Sequence, residues 1–286
     1  MLDWGQRTYI MGIINVTPDS FSGDGIALDD ESRLIERAVN QAQRFVSEGA
    51  DILDIGGEST RPGSSPISTV QELARIIPAI RSIREQLPAA LISVDTYRAE
   101  VAEAALNEGA DWVNDVWGLR MDPGMAYLVA RQKCPVIIMH NRSKPKDVAQ
   151  EERLGGHYTG VQYDDLLRDI IKELGAQVDN ALSAGITPEK IIIDPGIGFG
   201  KTVAQNLELI DRLDELKVLG FPILSGPSRK SFIGYTLDLP PEQRLEGTAA
   251  AVAISIDRGA DIVRVHDVAA MARVARMTDA IVRRGA

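Results

Sequence analysis

The chain has 286 residues, a length that suits a single α/β barrel, a fold of about 250 residues. Hydrophobic residues at 44% and charged residues at 25% are the balance of a globular protein and exclude a disordered chain. Lys and Arg number 31 against 41 Asp and Glu, a net charge of −10, which argues against nucleic acid or an anionic membrane as the main partner but leaves room for a small anion wherever cations gather.

In chain order, the N-terminal MLDWGQRTYIMGI has no basic stretch followed by a long apolar core, so no secretory signal is expected. The first apolar run, 9–16, reads as a strand. Segment 30–48 then places Leu34, Ile35, Ala38, Val39, Ala42, Phe45 and Val46 on one stripe at helical spacing. A second strand is expected at 51–55. Ser68 and Gln71 form a capping box before a helix that ends near 87–88.

Strands follow at 91–95, 112–116 and 136–140. Cys134, the single cysteine, precedes Pro135 and an apolar run. It permits no internal disulfide and is expected to be a small buried hydrophobe. The irregular stretch 141–160 is expected to be an active-site loop. Leu166, Leu167, Ile170, Ile171, Leu174, Val178 and Leu182 define a long helix before Gly185. The remaining strands are 191–194, 222–225 and 262–266. The most apolar later segment, 249–256, is far short of the ~20 residues that span a bilayer. A soluble, cytoplasmic protein is expected.

Several of the eight strands are continuous apolar runs, as parallel strands covered on both faces should be. Glu48-Gly-Ala-Asp51, Glu108-Gly-Ala-Asp111 and Arg258-Gly-Ala-Asp261 each join a helix to a strand, with a glycine free to end the helix in the left-handed region. Eight strands alternating with helices predict a (β/α)₈ TIM barrel, residues 1–286 forming one domain, with an open doubly wound sheet as the rival.

Polar groups cluster where strands end. Asn15 closes the first, Gly56-Gly-Glu-Ser-Thr-Arg61 follows the second, and Asp95 closes the third. Asn114 and Asp115 end the fourth, Met139-His140 the fifth and Asp194 the sixth. Ser228-Arg-Lys230 follows the seventh, and Arg264 and His266 end the eighth. In a barrel these converge on the C-terminal mouth, where barrel active sites lie. Asp95, Asn114, Asp194 and Lys230 suit a flat heterocycle with an amidine-like edge, because a carboxylate accepts two N–H bonds at once. Asn15, Arg61, Arg264 and His266 suit phosphate oxygens and a metal ion.

Residues 195–202 imitate a phosphate-binding P-loop, but Pro195 stands where the motif requires glycine. The glycines are expected to form a tight loop with Phe199 turned towards a ligand. The three histidines, His140, His157 and His266, lack zinc-site spacing, and a structural role is expected for His157.

Taken together, these segments resemble the dihydropteroate synthase family. The resemblance rests on residues 11–22 (MGIINVTPDSFS), 56–63 (GGESTRPG), 93–96 (SVDT), 114–116 (NDV), 194–201 (DPGIGFGK), 228–232 (SRKSF) and 264–266 (RVH), in family order. It implies a (β/α)₈ enzyme that joins 6-hydroxymethyl-7,8-dihydropterin pyrophosphate to p-aminobenzoate. It implies pterin contacts at Asp95, Asn114, Met139, Asp194 and Lys230, and a pyrophosphate site at Asn15, Arg61, Arg264 and His266, with Mg²⁺ on Asn15. Phe21, Thr60, Pro62, Phe199 and Ser231 match positions around p-aminobenzoate, and a homodimer is implied. Residues 22–25 (SGDG) depart from the usual S-D-G-G order, and no role is carried onto Arg142 or Lys144.

The implied chemistry is an SN1-like substitution. The growing charge on pyrophosphate is met by Mg²⁺, Arg61, Arg264 and His266, and the pterin-methylene cation is stabilised by its ring and Asp95, with Lys230 on the ring carbonyl. Three rivals stay open: a reduced-folate methyltransferase domain, an aldolase-type barrel with Lys230 or Lys201 as a Schiff-base amine, and an inactive pterin-binding protein.

Overall fold

The computed structural model describes residues 2–17, 31–59, 66–144, 147–159 and 161–283. The strands begin with β1 (Tyr9–Asn15), β2 (Ile52–Gly56), β3 (Leu91–Asp95), β4 (Trp112–Asp115) and β5 (Val136–Met139). A short antiparallel pair, β6 (Val148–Ala149) and β7 (His157–Tyr158), precedes β8 (Ile191–Asp194), β9 (Leu224–Ser225) and β10 (Ile262–Val265). Around them lie α1 (Glu31–Glu48), α2 (Thr69–Gln86), α3 (Ala99–Asn107), α4 (Met125–Gln132) and α5 (Leu166–Ser183). The series ends with α6 (Val203–Asp211), α7 (Ser231–Leu237), α8 (Leu245–Asp257) and α9 (Val268–Val282).

Apart from the hairpin, the strands run parallel in the order β8-β5-β4-β3-β2-β1-β10-β9. Ile193 of β8 bridges to Ile223, just before β9, and its N–H donates to the Pro222 carbonyl at 3.0 Å. The sheet edges therefore meet and the barrel closes, which removes the open doubly wound alternative. The seventh barrel strand is shorter than the expected 222–225, because Pro222 has no N–H to give to a ladder.

The repeated Gly-Ala-Asp joint has a common geometry. Gly49, Gly109 and Gly259 have φ of +99°, +107° and +99°, ending their helices in the left-handed region. Each following aspartate then forms a two-bond pair with the preceding barrel strand. Asp51 donates its N–H to the Ile10 carbonyl at 2.8 Å and accepts the Ile10 N–H on its carboxylate at 2.9 Å. Asp111 does the same with Ile92 at 2.7 and 2.9 Å, and Asp261 with Ile223 at 2.8 and 3.0 Å. The carboxylate extends each ladder by one bond below its first regular pair.

Side chains alternate along each strand, so two layers form inside and outside the barrel. Outside, Ile14, Ile55, Val94, Val113, Ile138, Ile193 and Val263 pack against helices that contribute Phe45, Ile76, Ile80, Leu167 and Leu174. A Cβ on Gly12 would lie 2.6 Å from the buried Phe45 ring, so glycine lets α1 approach β1 this closely. Inside, Tyr9, Met11, Ile52, Trp112, Ile137, Ile192, Leu224 and Ile262 form an apolar floor. One step further up the same strands come Asp54, Asn114, Met139, Asp194 and Arg264, so the floor carries a largely polar layer facing the C-terminal mouth.

The stretch 141–160 differs from the irregular loop expected, since it contains the β6–β7 hairpin and docks on α7. Tyr235 Oη donates to the Gly155 carbonyl at 3.1 Å, and the buried Arg244 donates to the Leu154 carbonyl at 2.9 Å. His157 stacks on Tyr235 with ring centroids 4.3 Å apart, in agreement with the structural role expected for it. Cys134 is buried, and burial pushes its thiol up to about 11. Among the described residues no helix is long and apolar enough to cross a membrane.

Candidate active site

The polar layer is joined across four strands. Arg264, on β10, donates from Nε to Asp54 at 2.6 Å and from Nη2 to Asp95 at 2.7 Å. Asn114, on β4, donates from Nδ2 to the same oxygen of Asp54 at 3.1 Å. Asp54 is fully buried, and Asp95, at the end of β3, is half-buried. Burial pushes the Asp95 carboxyl well above its ordinary value; Arg264 opposes the shift and Asp54 adds to it. Arg264 therefore links the carboxylates of the heterocycle group to the anion group with which its sequence position pairs it.

Asp194 closes β8. One of its oxygens accepts the Gly196 N–H at 2.6 Å, and burial pushes the carboxyl up to about 6, against the pull of that N–H and of Lys230. Lys230, just before α7, has its ammonium 4.0 Å from the centre of the Phe199 ring. Asp54, Asp95 and Asp194 thus share the mouth with Arg264 and Lys230, while the buried Lys201 also acts on Asp194 but spends its N–H groups on the loop. A site with this surplus of acceptors suits a neutral ligand rich in N–H groups.

An apolar cluster adjoins this layer. Val116, Met139 and Phe199 form it, with Tyr97 and Trp117 packed against it. Such a cluster offers apolar side chains to the faces of a flat ring while the carboxylates suit its edge. Phe199 is carried by a loop in which Gly196, Gly198 and Gly200 all have positive φ (+72°, +80° and +56°). A Cβ on Gly196 would fall 1.9 Å from the His140 carbonyl oxygen, so the tight passage expected for these glycines is real.

The P-loop resemblance dissolves in the same loop. Lys201 is buried, and its ammonium donates to the carbonyls of Gly196 and Phe199 at 2.9 and 3.0 Å and to His140 Nδ1 at 3.1 Å. These contacts occupy the N–H groups of the ammonium, which leaves none for a phosphate, and the side chain is 2% exposed, out of reach of a carbonyl substrate. Thr202 caps α6 through a reciprocal box with Gln205.

Of the remaining expected residues, His266 lies beside Ser228, Nδ1 to Oγ 3.0 Å, and Ser231 begins α7 next to Lys230. Arg229, between Ser228 and Lys230, turns away to pair with Asp267 at 2.9 Å. Asn15 is half-buried at the end of β1, and its amide makes no hydrogen bond among the described residues. Asp115 belongs to the turn after β4, where its oxygens accept the N–H groups of Trp117 and Leu119 at 2.8 and 2.9 Å. Phe21, Thr60, Arg61 and Pro62 lie outside the described residues. Asp54 was not singled out from sequence, although it is the one polar side chain in the run Ile-Leu-Asp-Ile at 52–55.

A family profile described as pterin binding enzyme matches residues 11–266. A dihydropteroate synthase from a Synechocystis species is 48% identical over 282 residues, covering 98% of this chain and 92% of that protein. The crystal structure of a Clostridium difficile dihydropteroate synthase, determined in the presence of pteroic acid, superposes with a TM-score of 0.90 at 47% identity and covers 99% of this chain and 100% of that one. A Xanthomonas albilineans dihydropteroate synthase with 4-aminobenzoic acid gives a TM-score of 0.85 at 41% identity, covering 97% and 94%.

Proposed function

Because the chain belongs to the pterin binding enzyme family, we propose that it is a dihydropteroate synthase, a transferase of folate biosynthesis that joins 6-hydroxymethyl-7,8-dihydropterin pyrophosphate to p-aminobenzoate. The observation that carries this reading is the acceptor layer of Asp95, Asn114 and Asp194 beside the apolar cluster of Met139 and Phe199. The aminopyrimidine edge of a pterin offers N–H groups to Asp194 and Asn114, its carbonyl suits Lys230, and its faces suit the apolar cluster.

The reaction breaks the bond between the pterin methylene and pyrophosphate and forms a C–N bond to the p-aminobenzoate amine, which loses a proton after attack. In the SN1-like course the methylene cation lies close to Asp95, whose carboxylate stabilises it. The neutral amine needs no base to attack. Arg61, Arg264 and His266 are assigned to the departing pyrophosphate, and Phe21, Thr60, Pro62, Phe199 and Ser231 to p-aminobenzoate.

The Asn15 amide, which makes no hydrogen bond among the described residues, offers a hard oxygen donor that fits Mg²⁺. The other ligands would include pyrophosphate oxygens and water. When bound there, Mg²⁺ neutralises charge on the leaving group. A cytoplasmic homodimer completes the reading; Ile254 of α8 and Met277 of α9 are exposed at 44% and 63%, apolar surface that a second copy could cover.

The test is turnover. With both substrates and Mg²⁺ the protein is expected to release dihydropteroate and pyrophosphate in equal amounts, and EDTA is expected to stop turnover while sparing the binding of a free pterin. Absence of product with both substrates and metal present would remove the assignment.

A further inference from the structure

Asp54 stands on β2 one inward step above Ile52, where an aliphatic residue would simply continue the barrel interior. It is fully buried, and a buried carboxylate is unfavourable unless well paired. Other barrel aspartates outside the mouth serve the backbone: Asp51, Asp111 and Asp261 extend strand ladders, and Asp115 holds a turn. Asp54 does not. Its two partners among the described residues are Arg264 Nε and Asn114 Nδ2, both on Oδ2, while Oδ1 is buried without a hydrogen bond. Its neighbour in the sheet register, Ser93, is likewise buried with an unpartnered hydroxyl. The fold gains no backbone bond from this pair of polar side chains, so the reason for Asp54 lies in what it holds.

The geometry points to Asp54 as a positioning residue for pterin recognition, one that orients Arg264 and Asn114 together on a single buried oxygen; this rests on the reading of the mouth as a pterin site. With Nε on Asp54 and Nη2 on Asp95, the guanidinium is clamped between carboxylates of β2 and β3 and cannot rotate about its long stem. With Nδ2 committed to Asp54, the Asn114 amide is fixed in the sense that leaves its oxygen to accept an N–H from the ring. Asp54 acts through both residues and touches neither substrate. Lys230, Asp194 and Glu72 are the other charged groups that act on this cluster.

The experiment compares the full-length wild type with Asp54→Asn, which keeps the shape and removes the charge, and with Asp54→Leu, which fills the layer with hydrocarbon. Affinity for a non-reactive hydroxymethylpterin is measured by calorimetry, KM for each substrate by steady-state kinetics, and the Arg264 Nε–H by ¹⁵N NMR. Asp54→Asn is expected to weaken pterin binding about 10- to 100-fold and to raise KM for the pterin pyrophosphate. KM for p-aminobenzoate should stay unchanged, and the protected Nε–H signal should be lost. Wild-type pterin affinity in a folded variant would overturn the proposal. So would a parallel loss for both substrates with a falling melting temperature, or failure of both variants to fold, since the carboxylate would then serve the fold. A wild type that binds no pterin would instead remove the reading of the site.

Discussion

The Lys201 ammonium lies 3.1 Å from His140 Nδ1, and both side chains are buried. The contact is possible because the imidazole is neutral: burial, reinforced by Lys201, pulls it down to about 4. Its Nε2–H is donated to Glu173 at 2.9 Å, which leaves Nδ1 as an acceptor. With the Gly196 and Phe199 carbonyls taking its other two N–H groups, Lys201 fastens from beneath the loop that carries Phe199 over the mouth.

Lys201→Met should therefore destabilise the protein although it removes a buried charge. Two carbonyls and one imidazole nitrogen lose their donor, each at roughly 1–3 kcal/mol, and the relief of burying no ammonium offsets part of this. A net loss of about 3 kcal/mol is expected in urea unfolding, with weaker pterin binding as Phe199 loosens. An unchanged midpoint would mean that the loop is held by its other contacts.

Pterin binding should depend on pH through Asp194, whose carboxyl is pushed up to about 6 by burial. The carboxylate, able to accept ring N–H bonds, exists above that value and is lost as pH falls through it. Affinity for a neutral pterin is expected to weaken towards tenfold per unit below about pH 6, and a shallower loss near pH 7 belongs to Asp95, which burial pushes up to about 7. A fluorescence titration series checks this; a flat profile down to about pH 5 would place the anchor elsewhere.

Asp261→Ala removes the acceptor for the Ile223 N–H beside the seam where β8 and β9 meet. The part-buried charge-assisted bond to Ile223 is lost together with the carboxylate's bond from the Gly5 N–H, so about 1.5–3 kcal/mol of stability should go, with an unchanged denaturant slope. Pterin affinity of the folded protein should not move, because the joint lies at the opposite end of the strand from Arg264. Equal losses in stability and affinity would contradict this separation of fold and site.

Features set by local pattern were legible in the sequence. The eight barrel strands lie within a residue or two of 9–16, 51–55, 91–95, 112–116, 136–140, 191–194, 222–225 and 262–266, because each is a short apolar run punctuated by turn residues. The Ser68–Gln71 box caps α2 as its spacing predicts. Features set by register were not legible. Asp54 meets Arg264 across 210 residues of sequence and Asn114 across 60, so nothing local marks it beyond one polar residue in an apolar strand. The β6–β7 hairpin escaped because strands of two residues carry no period. Lys201 and Thr202 looked like a phosphate motif because a helix cap and a glycine loop use the same residue types.

A calorimetric titration of a non-reactive hydroxymethylpterin into wild type and Asp194→Asn tests most directly whether Asp194 and its neighbours bind the pterin edge. An amide presents one acceptor oxygen where the carboxylate presents two and cannot supply the charge, so affinity should fall about 10- to 100-fold with binding to the wild type intact. Equal affinity in the two titrations would contradict the placement of the pterin in this mouth.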